Sequence, residues 1–295
     1  MVAPDTVRQA ASYAGCGLAW LREAPRLYLL ITLAYTAPAT VAAGLTAFAR
    51  DPVPWQQAVI LALPWVTIVL GAVVIMVAVG FQSRGQIVSL RRATRVAARW
   101  VPRYLWTNVH TSIIFWVPIG LLLVLRQWLL SIAPDRFAAN IPLDILWWLL
   151  IASLAVYLHT RTLLAPFLAV HGDLPATLAM LMAWRLAGRH FAVCLATLVV
   201  GSLPVALPLV LLALALARTL DGAAQAALVA AAADLAWVGI QLIRPVLIPA
   251  LFLLYRDLWL PEQAQFERQD GPHIPRIARL ALALTRSLPK PGAWD

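Results

Sequence analysis

Four stretches of this chain, 27–49, 52–83, 104–125 and 190–217, each run for more than twenty residues without an Asp, Glu, Lys or Arg. A bilayer core of about 30 Å is crossed by roughly 20 helical residues at about 1.5 Å each, so all four are long enough to span it. Two further runs qualify if the ionisable residues inside them are admitted. One goes from about Leu143 to Phe167 and contains His159 and Arg161; the other goes from about Leu235 to Tyr255 and contains Arg244. The expectation is an all-α, polytopic integral membrane protein with about six transmembrane helices. Only 12% of the residues are charged, against about a quarter in a soluble domain. The first run begins at Leu27, late for the apolar core of a cleaved signal peptide, so it is expected to stay in the membrane as the first span. Pro38, Pro64, Pro118, Pro204 and Pro249 lie inside the runs. They would break soluble helices but are tolerated in lipid as kinks.

The charge is one-sided, with 23 Lys and Arg against 13 Asp and Glu, and Lys290 is the only lysine. A surplus of this size suits nucleic acid or anionic lipid, and the distribution decides. The arginines flank apolar runs, so the basic surface is assigned to membrane lipid and nucleic acid is excluded as a partner. Counting on alternate sides of six spans puts 18 of the 23 on the side that holds both ends. By the positive-inside rule both termini are cytoplasmic in a bacterial-type inner membrane.

Three segments before the odd-numbered spans have the pattern of amphipathic helices at the membrane interface. Each closes on two arginines four apart: Arg22 and Arg26, Arg99 and Arg103, Arg185 and Arg189. Residues at that spacing share a helical face, where they can reach lipid phosphates while neighbouring Trp, Tyr or Leu enters the acyl boundary. In the middle segment Arg91, Arg95, Arg99 and Arg103 form a stripe. Pro118 and Pro204 each follow the last arginine of their segment by 15 residues, and Arg161–Pro166 and Arg244–Pro249 share the pattern Arg-x4-Pro. These echoes predict three hairpin units, about 6–83, 84–170 and 173–258, each entered through an interfacial helix. They form one transmembrane domain, 1–258. The cytoplasmic tail, 259–295, carries a short basic amphipathic helix around Ile277, Leu280, Leu284 and Leu288.

The Arg161–Pro166 element, the following Ala-Val-His-Gly-Asp-Leu-Pro-Ala, the Trp184–Arg189 segment and the closing Leu253–Leu258 resemble a bacterial group. That group contains six-span membrane proteins and the membrane domain attached to some glycerophosphodiester phosphodiesterases. The resemblance covers most of the chain and implies the six-span fold. It transfers no catalytic residue, and the sequence contains no hydrolase segment.

Ionisable groups at membrane depth are expensive and mark function by default. Arg244 falls near mid-bilayer if its span is one continuous helix, and the repeat puts Arg161 at a similar level. Together they are a candidate site for an anion or a lipid headgroup; the structural alternative has each guanidinium bonding carbonyls freed at a proline kink or snorkelling to the interface. His110 and His159 are the intramembrane histidines. Neither has a second ligand one helical turn away, so both are expected to be hydrogen-bonded core residues. His171-Gly-Asp173 is expected to be a loop turn, with Asp173 capping the next helix. Cys16 and Cys194 form no ligand spacing and are expected to be small buried apolar residues. Trp20, Trp55, Trp100, Trp147, Trp148 and Trp259 fall near span ends, as an interface belt requires.

Hydrolase, metalloprotease and phosphate-loop signatures are absent, so no enzyme activity, metal or other cofactor is expected. The favoured reading is an accessory or scaffold subunit of a membrane complex, with the Ala-rich Gly222–Ala236 stretch packing on protein partners. The alternative is a transporter or a lipid-handling or amphiphile-handling protein, with anionic lipid of the cytoplasmic leaflet as partner.

Overall fold

The computed structural model describes residues 4–48, 54–132, 141–219 and 243–263, and all regular structure among them is helical. Helices α1 (Pro4–Glu23) and α2 (Pro25–Phe48) meet at Ala24, because Pro25 has no N–H and its ring crowds the turn before it. The Ala24 carbonyl accepts from the N–H groups of Leu27 and Tyr28 at 3.1 and 3.3 Å, which opens α2 with Pro25 at its first position. Helix α3 (Pro54–Gln82) closes on a glycine turn. There the Gln86 N–H reaches the Phe81 carbonyl, the Gly85 N–H reaches the Gln82 carbonyl, and Gly85 has φ of 74°, a left-handed helix cap.

After an extended stretch comes α4 (Leu90–Ile132), a helix of 43 residues, followed by α5 (Ile141–Thr162), α6 (Ala165–Val170), α7 (Ala176–Arg189) and α8 (Phe191–Thr219). The last described helix, α9, covers 243–263. A break in the helix at His190 separates α7 from α8.

Two helical stretches, Leu90–Ile132 and Leu143–Val170, are long and apolar enough to cross a membrane, and a third qualifies if the bent stretch from Ala176 to Leu203 is one span. Their surfaces agree. Along α4 the side chains of Ile113, Trp116, Val117, Leu121, Val124 and Trp128 are exposed, and along α5 so are Ile145, Leu146, Trp148, Leu149 and Leu150. An apolar face of this extent needs lipid or another apolar surface to cover it. The chain is a membrane protein. Inside these helices several hydroxyls turn back on their own backbone: Thr107, Thr160, Thr197 and Ser202 donate to the carbonyls of Arg103, Val156, Val193 and Leu198 at 2.7–2.9 Å, a pattern available to Ser and Thr in helices.

The chain divides into two compact units. One takes the described residues up to Pro102 together with those from Ala192 onward; the other is Arg103–Phe191. In the first unit α1 buries Ala10, Tyr13 and Ala14 against protein. Trp20 packs on Phe252 with ring centroids 6.2 Å apart, and the Tyr13 hydroxyl donates to Asp257 Oδ2 at 3.0 Å. Burial pushes the Tyr13 phenol up to about 12, so it keeps its proton for that bond. The centre of this unit is Gln82, itself buried. Its Oε1 accepts from the Tyr28 hydroxyl at 2.8 Å, and its Nε2 donates to the Trp20 carbonyl at 2.9 Å and to Glu23 Oε2 at 3.0 Å. One amide thus ties α1, α2 and the end of α3 together.

Several expectations change. The arginine-bearing segment before 104 is no separate helix, since α4 runs unbroken from Leu90 through Pro102. Its stripe is outward, with Arg91, Arg95 and Arg99 exposed. The opposite face, however, packs against protein and does not sink into lipid: Ala93, Ala97, Trp100 and Tyr104 are buried. On α7, Leu178, Ala179, Ala183 and Leu186 are buried in the same way. Trp100 and Trp259 are core residues and not part of a belt. Cys16 is exposed, while Cys194 is buried.

Gln82→Leu leaves the buried Tyr28 hydroxyl without its acceptor and should cost about 1–3 kcal/mol, read as a lower midpoint of thermal unfolding in detergent. Adding Tyr28→Phe should recover part of that loss, because removing both partners strands no polar group; no recovery would show that Gln82 acts through some other contact.

Candidate functional site

Arg161 lies in the last turn of α5, where the negative end of the helix dipole favours a cation. Its guanidinium carbon sits 4.5 Å from the centroid of the Trp184 ring and 5.6 Å from that of Tyr157, distances at which an aromatic face attracts a cation. Tyr157 stands perpendicular to Trp184 with centroids 6.2 Å apart and packs on Phe191 at 5.7 Å. The fourth side of this box is Gly188. A Cβ at that position would overlap Nη1 of Arg161, so the guanidinium lies where only glycine leaves room.

This cation has five N–H donors and makes no hydrogen bond or ion pair with any described residue; its Nε is sealed from solvent without a partner. Aromatic stacking compensates the charge but satisfies none of the donors. Trp184 and Gly188, which form the floor of the box, immediately precede Arg185 and Arg189 in α7, and both of those arginines are exposed. The result is a half-buried cation whose open N–H donors suit the oxygens of an anion.

The other candidate residues are placed differently. Arg244 is half-buried near the start of α9 and is not without a partner. It falls in the first unit and Arg161 in the second, so each is taken on its own. Much of the span assigned to Arg244 lies outside the described residues, as do Gly222–Ala236 and the tail helix. Arg22 and Arg26 are exposed at the α1–α2 junction, and Arg99 is exposed on α4. Arg103 pairs with Asp173. The expected cap at Asp173 is therefore corrected: α7 begins after Pro175 with no side-chain cap. Asp173, at φ of 53°, a left-handed position that Asp tolerates, gives its carboxylate to Arg103 instead. A second ion pair joins Arg126 to Asp144, with Nη2 and Nε at 2.5 and 3.2 Å from Oδ1, and the same guanidinium lies 5.3 Å from the Trp148 ring centroid.

The Nδ1–H of His110 donates to the Trp106 carbonyl at 2.8 Å. His159 is not a core residue. It is exposed on α5, with the Phe115 ring 6.4 Å away. Among the described residues no group of three or more His, Cys, Asp or Glu could hold a metal ion. The residues missed by sequence reasoning are Tyr157, Trp184 and Gly188. Tyr157 stands four before Arg161, a spacing that puts both on one helical face, and a glycine inside an amphipathic helix is itself a flag for close approach. No protein-family model, curated protein or solved structure matches the chain.

A double-mutant cycle of Arg161→Gln and Trp184→Leu, read by thermal unfolding in detergent, should give a coupling of about 1–2 kcal/mol; additive effects would mean that the stacking contributes nothing. Gly188→Ala should drive the guanidinium out of the box, losing the stacking while gaining up to about 1 kcal/mol of helix propensity, so the net change in stability should be small. A changed Trp184 fluorescence would report that displacement.

Proposed function

We propose that this chain is a non-catalytic, multi-pass membrane protein that holds anionic lipid headgroups at the cytoplasmic face of a bacterial-type inner membrane. In this reading about six spans form three hairpin units, both termini are cytoplasmic, and 259–295 rests on the inner leaflet. The lengths of α2, α3 and α8, at 24, 29 and 29 residues, support spans in addition to those in α4 and 143–170. The skew of 18 of 23 cationic residues to one side supports the orientation. The resemblance to the membrane domain of glycerophosphodiester phosphodiesterases fits the same architecture.

The observation that carries the headgroup assignment is Arg161, a guanidinium held between Trp184 and Tyr157 with no described acceptor; Arg185 and Arg189, one residue on from Trp184 and Gly188 in α7, are exposed. A phosphate would satisfy the donors that the fold leaves open. The open donors of Arg161 favour lipid handling over the accessory-subunit reading, whose packing stretch Gly222–Ala236 lies outside the described residues.

Native mass spectrometry of the protein released from mild detergent tests this. Replacing Arg161, Arg185 and Arg189 together by Gln should weaken retention of anionic phospholipid on the order of a hundredfold, at about 1 kcal/mol per arginine. Unchanged retention sinks the assignment, and a stoichiometric protein partner without bound lipid favours the accessory subunit. A fluorescent reporter fused after residue 258 should be active in the cytoplasm; activity only on the far side of the membrane would reverse the topology.

A further inference from the structure

A groove of about 470 Å³ opens where α1 gives way to α2, walled by Glu23, Ala24, Pro25, Arg26, Leu27 and Leu30 on one side and 87–90 on the other. It exists because two interruptions of the chain face each other. Pro25 ends one helix and starts the next, and the glycine turn at the end of α3 throws 87–89 into an extended stretch before α4 begins at Leu90. The junction is fixed from behind by the Gln82 amide, which holds both Trp20 and Glu23.

The lining has two kinds of chemistry. Leu30 and Ile87 are 51% and 67% exposed, two aliphatic side chains left uncovered on opposite walls. The charged lining groups are Glu23 and Arg26. The Glu23 carboxylate already accepts from Gln82, whereas Arg26 is exposed and has no partner among the described residues. The surrounding surface is basic, with Arg22, Arg91 and Arg95 exposed and Arg92 lying over the Phe81 ring at 5.3 Å. Helices α2 and α4 begin at the groove and α1 ends there, so the helix ends largely offset one another and the arginines set the local field. A volume of about 470 Å³ falls in the range of small-molecule sites. A wall of ten residues is smaller than one side of a stable protein interface.

We propose that this groove holds one anionic phospholipid from the surrounding leaflet, its phosphate on Arg26 and the start of an acyl chain along Leu27, Leu30 and Ile87. An apolar trough with a cation at its mouth matches an amphiphile end to end, and inorganic phosphate would leave Leu30 and Ile87 uncovered. The site lies in a different compact unit from Arg161; it rests on the membrane reading above but not on the Arg161 assignment.

The test uses the full chain in phosphatidylcholine nanodiscs, with Cys16→Ser to remove the exposed thiol and Gln86→Cys carrying a fluorophore beside the groove. Spin-labelled phosphatidylglycerol should quench that fluorophore more strongly than spin-labelled phosphatidylcholine, by about fivefold in apparent affinity for one arginine. Arg26→Gln should abolish the preference, and Arg161→Gln should leave it intact. Thermal unfolding of Arg26→Gln should match the parent, since the side chain it removes is exposed. Equal quenching by the two lipids, or a preference that survives Arg26→Gln, overturns the proposal. Loss of the preference in Arg161→Gln overturns it as well, by showing that the effect is not local to the groove. Competition by millimolar inorganic phosphate would replace the lipid with a free anion as occupant and overturn it too.

Discussion

A backbone N–H or C=O that enters hydrocarbon finds no water there and must be satisfied within the protein. That constraint explains why the regular structure of the described residues is helical and why the helices run so long. It also explains what the chain does where a helix cannot continue. At Pro25 and at the glycine turn after Gln82 the interrupted backbone is taken up locally, by the Ala24 carbonyl and by Gly85 and Gln86. Side chains reinforce the junction, above all the Gln82 amide with its three hydrogen bonds. Breaks in the helices are where polar chemistry collects, and both candidate sites sit at such breaks.

Arginine dominates that chemistry because its planar cation can be stabilised in more than one way. Arg103 and Arg126 answer carboxylates, Arg92 and Arg161 lie on aromatic faces, and Arg26 has neither. The ion pairs are partly exposed and contribute little to stability; they tie Asp173, ahead of α7, and Asp144, in the first turn of α5, to α4. The stacked Arg161 differs, since a ring face attracts the charge and leaves the N–H donors unsatisfied.

The charge-free runs made membrane-spanning helices legible at once, because length and composition decide that question before any packing does. The arginine stripe was legible from Arg91 to Arg99, since i, i+4 spacing is local, whereas the turn of Arg103 to Asp173 was not. The burial of Trp100 and Tyr104 in protein was not, because a residue facing a neighbouring helix and one facing lipid obey the same apolar pattern. The glycine at 188 flags a close approach, but that Arg161 is what approaches, from a different helix, is carried by no local signal. Asp173 was misassigned for a related reason: a carboxylate just ahead of a helix has the form of a cap, and only tertiary proximity to Arg103 turns it elsewhere. His159 and Cys16 were assigned inward on residue type, which carries no information about which face of a helix is outward.

The hydroxyls of Thr107, Thr160, Thr197 and Ser202, committed to carbonyls of their own helices, bear on how this protein meets its neighbours. Thr107, Thr160 and Thr197 are fully buried, so a helix passing α4 or α5 in the bilayer meets mainly exposed aliphatic and indole groups, together with His159. The threonine hydroxyls therefore add no donor to that surface, where contour and dispersion discriminate weakly among apolar neighbours.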